Sequence, residues 1–198
     1  MRPWKRLLGG SEGNEQLTAI LATLLLVLLA VEGGTLLRLG TLLTVHVFVG
    51  VLLLPVVALK LASTGWRMAR YYLGGEEYVR RGPPHLAIRA LVAPIVVIST
   101  TCLFATGVGL IVLGHSEGAL PGLHKASFFV WFWAMTIHVL TRTLRLPRAL
   151  RLRLPGLAVR LGVVGASLVV GAALATITLP AVDNLQDSLT AHVGIDAE

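Results

Sequence analysis

The feature that most constrains this chain is a series of five long apolar segments with short connections between them. About 20 mostly apolar residues are enough for an α-helix to cross a bilayer. Hydrophobic residues make up 55% of the 198 residues and charged residues 14%, whereas a soluble domain is about 25% charged. Because so little polar surface is left for water, we expect an all-α integral membrane protein whose outside is covered by a lipid bilayer.

The predicted transmembrane helices divide the chain into three parts. An N-terminal cytoplasmic segment covers 1–15, a transmembrane bundle covers 16–180, and a polar extracytoplasmic tail covers 181–198. Within the bundle, the polar run from Glu32 to Gly34 ends the first helix and Pro180 ends the last. The five predicted helices run over about 16–31, 36–62, 85–113, 123–144 and 157–179.

The basic residues predict the orientation. The net charge of +7 could indicate a nucleic-acid partner, but the arginines and lysines cluster beside the apolar segments. They precede the first helix and surround the second and fourth connections between helices. With five spans these three regions share one side, which the positive-inside rule assigns to the cytoplasm. We therefore expect a multi-pass plasma membrane protein with a cytoplasmic N-terminus and no nucleic-acid partner.

Two histidines on the fourth predicted helix carry the functional signal. Ionisable side chains are rare inside transmembrane helices and usually mark a site. His124 and His138 are 14 residues apart, which is roughly 21 Å along a helix axis and only about 40° around it. Both are therefore expected to face the bundle interior near opposite membrane surfaces. Two stacked haems would need this arrangement of axial imidazoles.

The depth of the other histidines predicts how they pair. His46 lies on the outer side of the second helix, about 4–6 Å from its middle, and is nearest in depth to His124. His85 begins the third helix on the cytoplasmic side and is nearest to His138. We expect an outer haem between His46 and His124, and an inner haem between His85 and His138 if His85 is a ligand.

Two other residues fit this hypothesis. Gly50 lies one turn after His46 and would let a porphyrin plane approach the backbone. Arg38 lies near the outer interface, where it could pair with a haem propionate, although plain interfacial anchoring explains its position equally well. The candidate cofactor-binding residues are thus His46, His124, His138, His85, Gly50 and Arg38.

Two other functions could use the same histidines. A structural or assembly protein would use them only for hydrogen bonds between helices. A metal-ion transporter would line its path with additional Met, Asp or Cys, which are nearly absent from the predicted spans. No nucleophile elbow, zincin motif or phosphate loop points to an enzyme, and whether the chain is one stays open.

The segments TVHVFVG, with His46 and Gly50, and LHKASFFVWFWAMTIHVL, with His124 and His138, resemble a known family. They are similar to small bacterial membrane cytochromes b of the cytochrome b/b6 and b561 kind, including actinobacterial proteins, and to the membrane subunits of formate dehydrogenases. The resemblance covers most of 14–147. It implies non-covalent haem b, one or two per chain, held by paired histidines, with electrons passing between a quinone and a partner oxidoreductase.

Overall fold

The computed structural model describes residues 10–80, 82, 91–113, 118–143 and 154–195, with only the backbone for 142, 143 and 184–195. Every regular element in these residues is a helix. The helices are α1 (Gly10–Thr35), α2 (Leu39–Tyr72), α3 (Glu76–Val79), α4 (Ala93–Leu113), α5 (Leu120–Thr143) and α6 (Leu157–Ile195). A 3-10 turn, Leu36–Arg38, joins α1 to α2.

Helices α1 and α2 form an antiparallel hairpin. At one end the Asn14 amide donates to the Ser63 carbonyl oxygen over 3.1 Å, and the Ser63 hydroxyl donates to Asn14 Oδ1 over 2.8 Å. The Thr18 hydroxyl lies 2.7 Å from the Ser63 hydroxyl. At the other end the Glu32 carboxylate contacts His46. Polar side chains thus connect α1 to α2 at both ends of the hairpin. Apolar packing alone would leave these polar groups without partners in lipid.

Helix α6 packs against the hairpin, mainly along α2. The closest approach is at Gly171, where an added Cβ would lie 2.5 Å from the Leu52 carbonyl oxygen. A glycine is needed there because the two backbones meet without space for a side chain. Two buried clusters fill the rest of this contact: Val47, Val51, Ala175 and Val182 form one, and Leu21, Val56 and Val164 form the other.

Helices α4 and α5 form a second antiparallel hairpin. A Cβ on Gly107 would lie 3.1 Å from His124 Cε1, and one on Gly109 would lie 3.2 Å from the Leu120 side chain. Gly107 and Gly109 therefore allow the two helices to pack closely. Ile111 of α4 packs on the first buried cluster, and among the described residues α5 packs against α4 alone. The second hairpin is therefore tied to the rest of the protein through α4.

The outer faces of the helices are apolar. Three helical segments are long and apolar enough to cross a membrane: Gly10–Tyr72, Ala93–Leu113 and Leu157–Asp183. Only 11–28% of the residues in their most apolar stretches are buried inside the protein, and soluble proteins rarely expose apolar surface on that scale. The expectation of an all-helical membrane protein is therefore supported. The first of these segments contains both helices of the α1–α2 hairpin.

The predicted fourth span, α5, is not among these three segments. It is long enough, at 24 residues, but its sequence carries His124, Lys125 and His138 together with two tryptophans, and these lower its hydropathy. The residues that make this helix a candidate site therefore also weaken its membrane signal.

Four predicted helix ends are wrong. Helix α1 begins at Gly10 and not at about 16, and helix α2 continues to Tyr72 and does not end at about 62. Helix α1 does not stop at Glu32 but continues to Thr35, because the Glu32 side chain finds a partner in His46. Helix α6 does not stop at Pro180 but continues to Ile195. A proline costs a helix one hydrogen bond and some bending, and burial of Val182 in the cluster around Val47 compensates.

Candidate functional site

His46 of α2 contacts the last turn of α1. Its Nδ1 lies 3.0 Å from Glu32 Oε1 and 3.0 Å from the Thr35 hydroxyl. The side chains of His46 and Glu32 are 20% and 17% exposed, so the pair is largely shielded. Gly50, one helical turn further along α2, lies beside the Glu32 carboxylate. A Cβ added there would be 3.4 Å from Glu32 Oε1.

These partners determine which nitrogen of His46 carries the proton. A carboxylate can only accept a hydrogen bond. The Thr35 hydroxyl donates its own hydrogen to the Glu32 carbonyl oxygen over 2.6 Å, so its oxygen also acts as an acceptor toward the imidazole. Nδ1 of His46 is therefore the donor, and in the neutral ring Nε2 keeps its lone pair, as a metal-ligating histidine requires.

His124 is held in the same way across the second hairpin. Its Nδ1 lies 3.0 Å from the Thr106 hydroxyl, and that hydroxyl donates to the Cys102 and Leu103 carbonyl oxygens over 2.7 and 3.0 Å. When Nδ1 carries the hydrogen and donates it to the Thr106 oxygen, the neutral His124 ring presents Nε2 with its lone pair.

The two histidines lie at the same end of the bundle. His46 is near the start of α2, and His124 is near the start of α5, opposite the last turns of α4. On α4, Ile111 packs against the cluster that contains Val47, the neighbour of His46. The structure thus places both histidines at the same end of the bundle, and their pairing around one group stays a prediction.

The helices that carry these histidines are not packed against each other. Among the described residues, α5 packs only on α4, and no Cα of α2 lies within 8 Å of a Cα of α5. Helices in direct contact have axes 8–10 Å apart, which leaves no room for a flat group between their side chains. The separation of α2 and α5 is compatible with a group held between imidazoles from each.

The other predicted site residues are less well defined. His138 is half-buried on α5, and Arg38 is exposed in the turn at the same end as His46. His85 lies outside the described residues, so its pairing with His138 stays a prediction. In the parts of the chain that are described, no three His, Cys, Asp or Glu side chains form a group that could hold a metal ion.

Three contacts of this site were missed by sequence reasoning. Glu32 was interpreted as part of a helix end, but it is a partner of His46. Thr106 bonds back to its own helix, as a threonine in a helix often does, and also contacts His124. Gly107 lies across the hairpin from His124 itself. The signal available in the sequence was the acid Glu32 and the small residues Thr106 and Gly107, all near the ends of apolar segments.

No family model, curated protein or solved structure matches this chain.

Proposed function

We propose that this protein is a membrane b-type cytochrome in which His46 and His124 are the axial ligands of an outer haem. The observation that carries the proposal is the state of the two imidazoles. Each is anchored through Nδ1 by partners on its own hairpin, and Nε2 is the ligand atom of each ring when Nδ1 carries the hydrogen. Metal-binding histidines have this arrangement, since the second nitrogen orients the ring that binds.

The number of donors favours haem over a bare metal ion. A structural zinc site uses four protein ligands and a catalytic one uses three. A porphyrin supplies four nitrogens, so two imidazoles complete its iron. When bound, a six-coordinate haem b supplies one-electron transfer without an open position for substrate. Within that site, His46 and His124 hold the iron, and Glu32, Thr35 and Thr106 orient their rings.

The complete proposal extends across the membrane. Five helices span the plasma membrane with the N-terminus in the cytoplasm, so His46 and His124 lie on the outer side. An inner haem is bound by His138 and His85, and Arg38 pairs with an outer propionate. When bound, the haems would supply one-electron transfer across the bilayer, between a quinone and a partner oxidoreductase. The chain acts as an electron-transfer subunit.

A second candidate is a membrane protein without haem, in which the histidines only connect helices. The Thr106–His124 hydrogen bond between α4 and α5 favours it, as does the contact of His46 with Glu32 and Thr35 on the preceding hairpin segment. These bonds use one nitrogen of each ring. The haem proposal also gives a role to Nε2 and to the separation of α2 from α5.

The test is haem quantitation on protein purified in detergent. The wild type is expected to show a Soret band and a reducible α-band, with one or two haems per chain by pyridine haemochrome. His46→Ala and His124→Ala should each remove one haem per chain. His192→Ala, which changes a histidine outside both proposed pairs, should bind as much haem as the wild type.

A colourless wild type that is otherwise well folded would overturn the haem proposal and leave the structural candidate. Equal haem content in the wild type, His46→Ala and His124→Ala would contradict the proposed ligands while keeping the cytochrome. His138→Ala reports separately on the inner site, because it should remove a haem only if that site exists.

A further inference from the structure

The two proposed ligands of the outer haem have chemically different partners. His124 contacts a neutral group, the Thr106 hydroxyl. His46 contacts the neutral Thr35 hydroxyl and also the carboxylate of Glu32. One side of the site is therefore held by a charged acceptor and the other by an uncharged one.

The Glu32 carboxylate is placed for an effect on His46. Its Oε1 lies 3.0 Å from His46 Nδ1 and beside Gly50, where an added Cβ would be 3.4 Å away. Its Oε2 is buried and has no hydrogen-bond partner among the described residues. Within that part of the chain no arginine or lysine forms an ion pair with Glu32. The negative charge is thus shared mainly with the imidazole.

Such a partner changes the donor strength of a ligand. A carboxylate that accepts the Nδ1 hydrogen raises the basicity of the imidazole at Nε2. A more basic ligand, with a negative charge close by in a shielded place, favours ferric over ferrous iron. A neutral acceptor such as a hydroxyl or carbonyl does this to a smaller extent.

We propose that Glu32 is a positioning residue that acts through His46 to lower the reduction potential of the outer haem. This inference rests on the proposed function. The step it affects is the gain of one electron by ferric iron to give ferrous iron, with the electron supplied by a quinol or a partner subunit. No proton transfer is part of this step, and the only change is the oxidation state of the iron.

The test is a redox titration of the purified protein, followed at the α-band with dithionite as the reductant. Glu32→Gln keeps the shape of the side chain and removes its charge. In the protein that binds haem, it should raise the midpoint potential of the outer haem. The expected change is about tenfold in the ferric-to-ferrous preference, which for one electron is about 59 mV.

Thr106→Val is the matched control at the other ligand. It removes the neutral partner of His124 and changes no charge, so its potential should shift less than that of Glu32→Gln. Glu32→Asp keeps the charge and should return the potential toward that of the wild type. A purely structural role for Glu32 would not produce this order of potentials.

The outcomes separate this inference from the one it rests on. Full haem content in Glu32→Gln with an unchanged potential would overturn the role of Glu32 and leave the cytochrome intact. A wild type without haem would overturn the cytochrome itself. If Glu32→Gln binds no haem, Glu32→Asp decides: haem bound at a potential near the wild-type value supports the role, and absence of haem overturns it.

Discussion

The two hairpins of this protein hold their histidines alike but are packed very differently. In the first hairpin, Glu32 and Thr35 of α1 contact Nδ1 of His46 on α2. In the second, Thr106 of α4 contacts Nδ1 of His124 on α5. The α1–α2 hairpin is covered by α6 along two buried clusters. In the α4–α5 hairpin, α5 packs on α4 alone among the described residues.

This difference indicates what keeps the halves of the site together. Each histidine is oriented within its own hairpin, so neither depends on the other half for its direction. The hairpins themselves meet through α4, at side chains such as Ile111. A haem bound by His46 and His124 would be an additional link between the hairpins, and its contribution should be largest where the protein packing is thinnest.

The largest expected effect follows from withdrawing haem. A ligand present at a thousandfold excess over its Kd stabilises the native state by about 4 kcal/mol. Protein produced under haem limitation should therefore exchange backbone hydrogens faster in α4 and α5, with a smaller change in α1 and α2. Hydrogen exchange followed by mass spectrometry measures both. Equal changes in the two hairpins would show that the packing difference has no bearing on haem binding.

An intermediate effect is expected at the contact between α2 and α6. Gly171→Ala places a Cβ 2.5 Å from the Leu52 carbonyl oxygen, and overpacking of this kind costs about 1–3 kcal/mol. Gly165→Ala is the control, since its Cβ meets open space and alanine favours a helix by about 1 kcal/mol over glycine. Thermal denaturation in detergent should show a lower Tm for Gly171→Ala and no decrease for Gly165→Ala. A matching decrease in the second would mean that the close approach at Gly171 does not decide the result.

The smallest effect is expected in the second hairpin, at Gly107. An added Cβ would lie 3.1 Å from His124 Cε1, so the ring must turn slightly from its present rotamer. A rotamer displaced by about 30° costs on the order of 1 kcal/mol, which would weaken haem binding about fivefold. Haem titration of Gly107→Ala measures this loss. Gly122→Ala on α5, with no atom within 4 Å of its Cβ, should match the wild type, and a similar loss in both variants would contradict a specific contact.

Hydropathy and charge were sufficient to predict an all-helical membrane protein, because the cost of unpaired backbone groups in lipid leaves few alternatives to helices. Depth along the predicted helices also indicated that His46 and His124 belong to the same end. Helical rise is nearly constant, so this kind of inference needs no knowledge of packing. That the two bind one haem stays a prediction.

The partners of the histidines could not be predicted in the same way. Which residues oppose each other across a hairpin depends on how the two helices rotate and slide when they pack. Glu32, followed by two glycines, has the local character of a helix end, and only its position opposite His46 keeps it within the helix. Pro180 was misleading for a similar reason, since burial of the following turn at Val182 outweighs the local preference.

The account depends on His46 and His124 binding the same iron, and electron paramagnetic resonance of a variant with both inner candidates removed tests this most directly. Purified His85→Ala/His138→Ala protein in the ferric state is expected to hold one haem per chain with a low-spin signal from two imidazole ligands. Adding His46→Ala or His124→Ala should abolish that signal. A signal that survives either addition, or a double variant that binds no haem at all, would contradict the account.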